Sequence, residues 1–317
     1  MSTATQRLKR ELGPGLQTGV ALAPYTWMRV GGPAEMHLEA GSEGQIVAAT
    51  AACRRLGVPC CLLGEGSNVV VDDAGLAGLV VINRVATVCW GLPGRSVTVG
   101  GGFNLDRFVT AVSQRGWGDI TFAAGIPGTV GGGIVGGAGA YGHLAAERLT
   151  RARILDTAGR VADIDASRLG IRYRNSDALL RGDILLAATF GGFGRDEPET
   201  LADRIETIKA KRRRKLPPAD LPCAGSFFKN LPSPAAGGRR IPAGRLLDQC
   251  GAKQMREGGA AVFHNHANII VNTGDASAAD IDRLADRLAR RVRRRMGIEL
   301  TREVRFLRSS PADGGLV

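Results

Sequence analysis

Nine of the eighteen residues from Gly125 to Gly142 (GIPGTVGGGIVGGAGAYG) are glycine. A glycine inside a regular element costs roughly 0.5–1 kcal/mol relative to alanine, so a packed apolar segment gains nothing from such a run. A backbone that lies against a flat or diphosphate-bearing ligand does gain, because it needs close approach and free amides. The stretch therefore reads as a ligand-binding loop, with an ordinary packing loop as the plainer alternative. A second glycine loop, Gly64-Glu65-Gly66-Ser67-Asn68, separates the apolar runs Cys60–Leu63 and Val69–Val71. Its amides suit a diphosphate, with Ser67 and Asn68 adding side-chain hydrogen bonds, although a tight turn explains it equally well. It does not open a helix in the G-x-G-x-x-G pattern, so it is not a Rossmann fingerprint.

Around these loops the pattern predicts alternating helices and strands. Ser42 caps a helix to Leu56 that Gly57 stops. Strands follow at Cys60–Leu63, Val69–Val71, Leu79–Ile82, Val97–Val99, Ala152–Leu155 and Ile184–Phe190. Asn104 caps a helix carrying Leu105, Phe108, Val109 and Val112, ending near Gly116. This order is typical of an α+β or an α/β domain. A charged helical connector, Glu197–Lys215, leads into Pro217-Pro218 and Pro222, which mark a boundary. The last third forms its own unit. It has a helix near Gly244–Cys250 and strands near Ala261–Phe263, Asn268–Val271 and Val304–Leu307. A helix from Ala279 to Met296 sets Ile281, Leu284, Leu288 and Val292 on one face and arginines on the other. The tail Ser309–Val317 reads as disordered.

The net charge of +12 is concentrated in two runs, Lys209–Lys215 and Arg290–Arg295. With aromatics at only 5%, no stacking platform for nucleic acid emerges. The runs read as solvated basic faces, with attraction of a phosphorylated substrate as the second reading. The six cysteines form no C-x-x-C pair, so neither a zinc site nor a disulfide scaffold is expected. His264 and His266 alternate on an expected strand and so point apart, and no metal site is expected. The N-terminus lacks an apolar signal region and no long apolar run occurs, so the expected location is the cytoplasm, with no membrane contact.

Eight motifs then occur in order: TWMRVGGPAE (Thr26–Glu35), LGEGSNVVV (Leu63–Val71), AGIPGTVGG with AGAYG (Ala124–Gly142), YRNS (Tyr173–Ser176), AGSFFKN (Ala224–Asn230), DQCGAK with GGAAV (Asp248–Val262), HANIIVN (His266–Asn272) and EVRF (Glu303–Phe306). Together they resemble the UDP-N-acetylenolpyruvoylglucosamine reductase family over nearly the whole chain. The resemblance implies an FAD-binding unit of the vanillyl-alcohol-oxidase type over residues 1–205, made of two α+β subdomains split near residue 85. A C-terminal α+β substrate domain over 206–308 would follow. The short connection after YRNS resembles the family's shorter branch, which lacks an inserted substrate-covering loop.

The implied chemistry is transfer of a hydride from NADPH, through non-covalent FAD, to the enolpyruvyl group of a UDP-sugar in peptidoglycan precursor synthesis. A monomer is expected. By resemblance, Arg174 stabilises the charge that develops, Glu303 partners it, and Ser226 donates the proton. FAD would contact Gly64, Gly66, Ser67, Asn68, Gly125, Ile126, Pro127, Gly128, Thr129, Gly131, Gly132, Ala138, Gly139 and Ala140. Tyr173, Lys215, Lys229, Asn230 and Lys253 would bind the substrate, while Tyr25 and Arg29 would touch the flavin or shape the entry. Three positions depart from the family pattern: Gly137 replaces a common Asn, Glu65 a small residue, and Arg245 an aromatic. A related flavoprotein with another substrate, or a non-catalytic binding protein, are the competing readings. Retained Ser226, Lys229, Asn230 and Glu303 argue against the first, and a flavin spectrum would exclude the second.

Overall fold

The computed structural model describes residues 3–91, 96–233, 235 and 238–309. Most of the expected tail lies outside these residues. Ser309 lies inside them and is held, its Oγ accepting from Ala77 N at 2.6 Å and donating to Gly75 O at 3.3 Å.

The chain begins with α1 (Thr3–Leu12), β1 (Gln17–Ala21), β2 (Pro33–Ala40), α2 (Glu43–Leu56), β3 (Cys60–Leu63), β4 (Val69–Val71) and β5 (Leu76–Asn83). A mixed sheet forms in the order β1-β2-β5-β3, with β2 and β3 both parallel to β5. Ser42 and Gln45 close a reciprocal capping box on α2, and Gly57 ends it in the left-handed conformation. One face of the sheet packs under α1 and α2 through Leu8, Met36, Leu38, Ile46, Leu79 and Val81. The other face joins Leu22, Val71, Val80 and Ile82 to Leu307 from the far end of the chain. α1, β1 and β2 were not among the expected elements. The alternation of Ala34, Met36, Leu38 and Ala40 with Glu35, His37 and Glu39 was the available signal for β2.

The next unit holds β6 (Val88–Trp90), β7 (Val97–Gly100), α3 (Leu105–Ser113), α4 (Val130–Val135), β8 (Gly139–Ala140), β9 (His143–Leu144), β10 (Leu149–Leu155), β11 (Val161–Asp165), β12 (Ile171–Arg172), β13 (Asn175–Ser176), α5 (Asp177–Leu180) and β14 (Ile184–Phe190). Its sheet runs β11-β10-β14-β7-β6 and is antiparallel throughout. α3 buries Phe108, Val109 and Val112 against it, and Phe108 meets Phe190 at a ring separation of 4.8 Å. The glycine-dense stretch is not all loop. Thr129 caps the short α4 by accepting from Gly132 N at 3.1 Å. Gly131 lets that helix sit on the sheet, because a Cβ there would lie 2.7 Å from Gly101 O.

α6 (Pro198–Arg213) crosses to the last unit, which contains β15 (Cys223–Ser226), α7 (Ala243–Gln249), β16 (Arg256–Glu257), β17 (Ala260–Val262), β18 (Ile269–Asn272), α8 (Ala278–Met296) and β19 (Arg305–Leu307). Its sheet order is β15-β18-β17-β16. α8 buries Ile281, Leu284, Leu288 and Val292 against this sheet, each contributing about 1.5–3 kcal/mol over an exposed position. His264 and His266 lie in the turn between β17 and β18, not on a strand as expected, because the chain reverses after Val262. β19 then leaves this unit and pairs in parallel with β4. Asp73 accepts from Ala278 N and Ala279 N at the start of α8, and Asn272 donates to Met28 O at 3.1 Å. The first and last units are thereby joined by ladder, cap and side-chain bonds.

Candidate active site

The two glycine loops meet. Ser67 Oγ donates to Pro127 O at 3.3 Å. A Cβ on Gly128 would stand 2.6 Å from Ser67 Oγ, and one on Gly64 would stand 2.6 Å from Thr129 Oγ1. Side chains at either position would drive the loops apart. Gly66 has φ of +63°, and a Cβ there would lie 2.2 Å from Tyr25 O, while its carbonyl accepts from Trp27 N. Among the described residues, the N–H groups of Gly66, Ser67, Gly128 and Thr129 have no acceptor within the protein. Two facing loops with close backbone approach and unpaired amides are what a dinucleotide diphosphate requires, so these residues fit FAD. Gly139 and Ala140 lie in the β8–β9 hairpin, and Ala138 and Ile126 are nearly buried beside it in the core of the second unit.

Glu65 turns its carboxylate to Asn104, which donates to it at 2.8 Å while capping α3. Tyr25 commits its hydroxyl to Glu39 and its ring to His37. Its backbone, not its ring, supports the Gly66 turn. Arg29 is exposed and has φ of +53°.

Arg174, Glu303 and the Ser226 strand converge from three parts of the chain. Arg174 sits at the tip of the β12–β13 hairpin with φ of +55°, a left-handed conformation rare for a non-glycine residue. Its Nε lies 2.7 Å from Glu303 Oε1, and the two side chains are 23% and 9% exposed. Nε nonetheless has no well-aligned hydrogen-bond acceptor, so the contact is one of charge more than of direction. Burial raises the Glu303 pKa, and the pull of Arg174 and Lys229 only partly offsets it. Glu303 N donates to Phe227 O at 2.9 Å, directly after Ser226, and Asn68 Nδ2 donates to Glu303 O at 3.2 Å. Lys229 Nζ donates to Arg174 O at 3.3 Å. A register shift between Cys223 and Ser226, with Gly225 at φ of +74°, re-aims Ser226 at the end of β15.

Ser226 faces a cavity of about 400 Å³ that Asn230, Arg245, Asp248, Lys253 and His266 also line. Lys253 pairs with Asp248 at 3.0 Å. Asn230 Oδ1 accepts from Ala243 N at 3.1 Å, which fixes its amide. Burial pushes the His266 pKa down, and the charges of Lys215 and Lys253 push it further. Lys215 is therefore close to this cavity, although it is not among its lining residues. The Tyr173 ring lies against two guanidinium groups, that of Arg240 at 4.0 Å and that of Arg174 at 5.5 Å from its centroid.

Comparison with known proteins bears on these two halves. Residues 34–165 match the family described as FAD binding domain. Residues 217–307 match UDP-N-acetylenolpyruvoylglucosamine reductase, C-terminal domain. A UDP-N-acetylenolpyruvoylglucosamine reductase from Solibacter usitatus is 36% identical over 90% of this chain and 95% of its own length. The chain belongs to the UDP-N-acetylenolpyruvoylglucosamine reductase family. Its relative in Bacillus subtilis, of the same name, is 33% identical over 97% of this chain and 99% of its own. The crystal structure of the family's Thermus caldophilus member superimposes with a TM-score of 0.75 at 29% identity, covering 91% of this chain and 98% of the other. The chain is thus an FAD-dependent oxidoreductase of this family.

Within the family frame, two features escape a reading of the sequence alone. Arg212 lies in the basic run taken as a solvated face, yet its Nε is closed off from solvent with no hydrogen-bond acceptor. A Cβ on Gly125 would lie 3.0 Å from Arg212 Cδ, so the side chain runs along the glycine-dense stretch. Burial lowers its pKa, and nearby Arg174 lowers it further. Ile205, Ile208 and Arg212 fall at helical spacing on α6, and that spacing was the available signal. The second feature is Gly137. Its carbonyl accepts from Arg174 N at 3.2 Å, and a Cβ there would stand 2.1 Å from Arg172 O. A side chain at this position would collide with the β12–β13 hairpin, so glycine lets the Arg174 hairpin press directly on this loop. Among the described residues no group of histidine, cysteine or carboxylate side chains could hold a metal, and no helix is long and apolar enough to cross a membrane.

Proposed function

We propose that the protein reduces the enolpyruvyl double bond of UDP-N-acetylglucosamine enolpyruvate, giving UDP-N-acetylmuramate, with NADPH as the electron donor. The observation that carries this reading is the half-buried Arg174–Glu303 pair, packed beside the Ser226 strand at the edge of a cavity lined with cations. Residues Gly64, Gly66, Ser67, Asn68, Gly125, Gly128, Thr129, Gly131 and Gly132 hold FAD, with Ala138, Gly139 and Ala140 behind them. FAD, when bound, supplies the two-electron relay between NADPH and the substrate alkene.

The protein's own part is electrostatic and protonic. Hydride addition to the methylene carbon leaves negative charge spread into the adjacent carboxylate. Arg174 faces that charge, and its strained backbone, held by Lys229 and Gly137, fixes the guanidinium in advance. Glu303 keeps Arg174 in place. Ser226 gives its proton to the neighbouring carbon. A serine hydroxyl is a weak acid, but a carbanion-like carbon is a strong base, so the transfer runs downhill. Lys215, Asn230 and Lys253 receive the diphosphate and uridine, and Tyr173 closes over them with Arg240.

The test is direct. Flavin-loaded protein and NADPH are mixed with the enolpyruvyl sugar nucleotide, and NADPH absorbance and product mass are followed. Substrate-dependent loss of NADPH with a product heavier by two hydrogens supports the reading. A yellow protein that oxidises NADPH equally with and without this substrate would sink it.

A further inference from the structure

The cavity beside Ser226 has a charge pattern that the assignments above leave unexplained. Two cations line it, Arg245 and Lys253, with one carboxylate, Asp248. Asp248 is i+3 to Arg245 on α7 and could serve it, but it contacts Lys253 instead, through both oxygens at 3.0 and 3.1 Å. Lys253 is thereby neutralised as it stands. Arg245 is exposed at the cavity wall, its backbone N–H donates to Pro242 O, and among the described residues its guanidinium has no carboxylate or hydrogen-bond partner. Lys215 adds positive charge close by, since its neighbour Leu216 packs on the cluster of Phe263 and Ile269 that flanks His266. The formal sum of Lys215, Arg245 and Lys253 less Asp248 is +2, the opposite of a diphosphate diester.

We propose that Arg245 is a diphosphate-binding residue of this chain, reaching across the cavity to the substrate's phosphate oxygens. The proposal rests on the functional reading above and deepens it by naming which side chain sets affinity for the anionic linker. A guanidinium offers a planar pair of donors that matches two phosphate oxygens, whereas an ammonium acts as a point charge. Because Lys253 is shared with Asp248, Arg245 is the cation with undivided capacity. His266, held neutral by burial and by Lys215 and Lys253, does not compete with it for charge.

Isothermal titration of FAD-loaded protein with UDP and with uridine tests this. In Arg245→Gln the UDP Kd should weaken by about tenfold or more, which is the loss of one charge-assisted contact. The uridine Kd should stay within twofold, which also reports that the variant is folded. Arg245→Lys should recover only part of the UDP affinity. The loss should shrink at high salt, where screening weakens the wild-type contact. An unchanged UDP Kd in Arg245→Gln overturns the proposal while leaving the proposed function standing. A wild-type protein that binds neither UDP nor uridine overturns both.

Discussion

Gly66 and Gly57 have nearly the same backbone, with φ of +63° and +65°, but different surroundings. A Cβ on Gly57, the C-cap of α2, would meet nothing within 4 Å. A Cβ on Gly66 would sit 2.2 Å from Tyr25 O and 2.9 Å from Thr26 Cα, both backbone atoms that cannot swing aside. Gly57→Ala should therefore cost only the left-handed strain of an L-residue, about 1–2 kcal/mol. Gly66→Ala should add an overpacking term of about 1–3 kcal/mol, for a total of about 2–5 kcal/mol. It should also move the Ser67 side of the loop away from Gly128 and weaken FAD binding, which Gly57→Ala should leave alone. Urea unfolding of the FAD-free protein reads the first effect, and titration of flavin fluorescence reads the second. Equal destabilisation by the two substitutions, with equal FAD affinity, would refute the argument that close approach, not backbone freedom alone, demands glycine at Gly66.

Other outcomes follow from buried charge and from caps. Glu303→Gln leaves Arg174 without its counter-charge but also removes a carboxylate that burial disfavours, so the two effects partly cancel and the net loss in denaturant titration should be about 1 kcal/mol or less. Because burial holds the Glu303 pKa above its unfolded value, its favourable contribution is complete below about pH 4.3 and is lost as pH rises through the folded pKa. The stability difference between wild type and Glu303→Gln should therefore change across that interval and be flat outside it. His37 is 2% exposed, packs at a tilt against the Tyr25 ring with centroids 4.7 Å apart, and has neither ring nitrogen hydrogen-bonded. Burial depresses its pKa, so its neutral form is favoured and stability falls as pH drops below about 6.5. His37→Leu should flatten the unfolding midpoint in that range, and an unchanged acid slope would show that other groups dominate. Asp73→Ala removes the acceptor for Ala278 N and Ala279 N and should cost about 1 kcal/mol, seen as a lower thermal midpoint.

What could be read in the sequence was mostly local. Ser42 and Gly57 bracket α2 because a hydroxyl cap and a left-handed glycine are written into single residues. The same holds for Asn104 at α3 and for the apolar stripe of α8. The failures were contextual. α4 survives three consecutive glycines because packing on Gly101 repays what the backbone loses. His264 and His266 have a strand-like alternation, yet Phe263 to Asn268 turns because the chain must return to pair β17 with β18. The β4–β19 ladder joins Val69 to Arg305 across most of the chain, a pairing that no local pattern encodes. In the site, motif order named Arg174, Ser226 and Glu303, but nothing in those motifs shows that Lys229 holds Arg174 O or that Glu65 turns to Asn104. Arg212 was hidden by its neighbours: in a run of basic residues, only spacing relative to Ile205 and Ile208 separates the inward one.

In the proposed reaction Ser226 supplies a proton once the substrate has taken the hydride, and plays no part in taking electrons from NADPH. Stopped-flow measurement of the two half-reactions in Ser226→Ala separates these. Flavin reduction by NADPH should stay close to the wild-type rate, and reoxidation by the enolpyruvyl substrate should slow by about 10²–10⁴-fold. Reoxidation at the wild-type rate, or an equal slowing of both half-reactions, would contradict it.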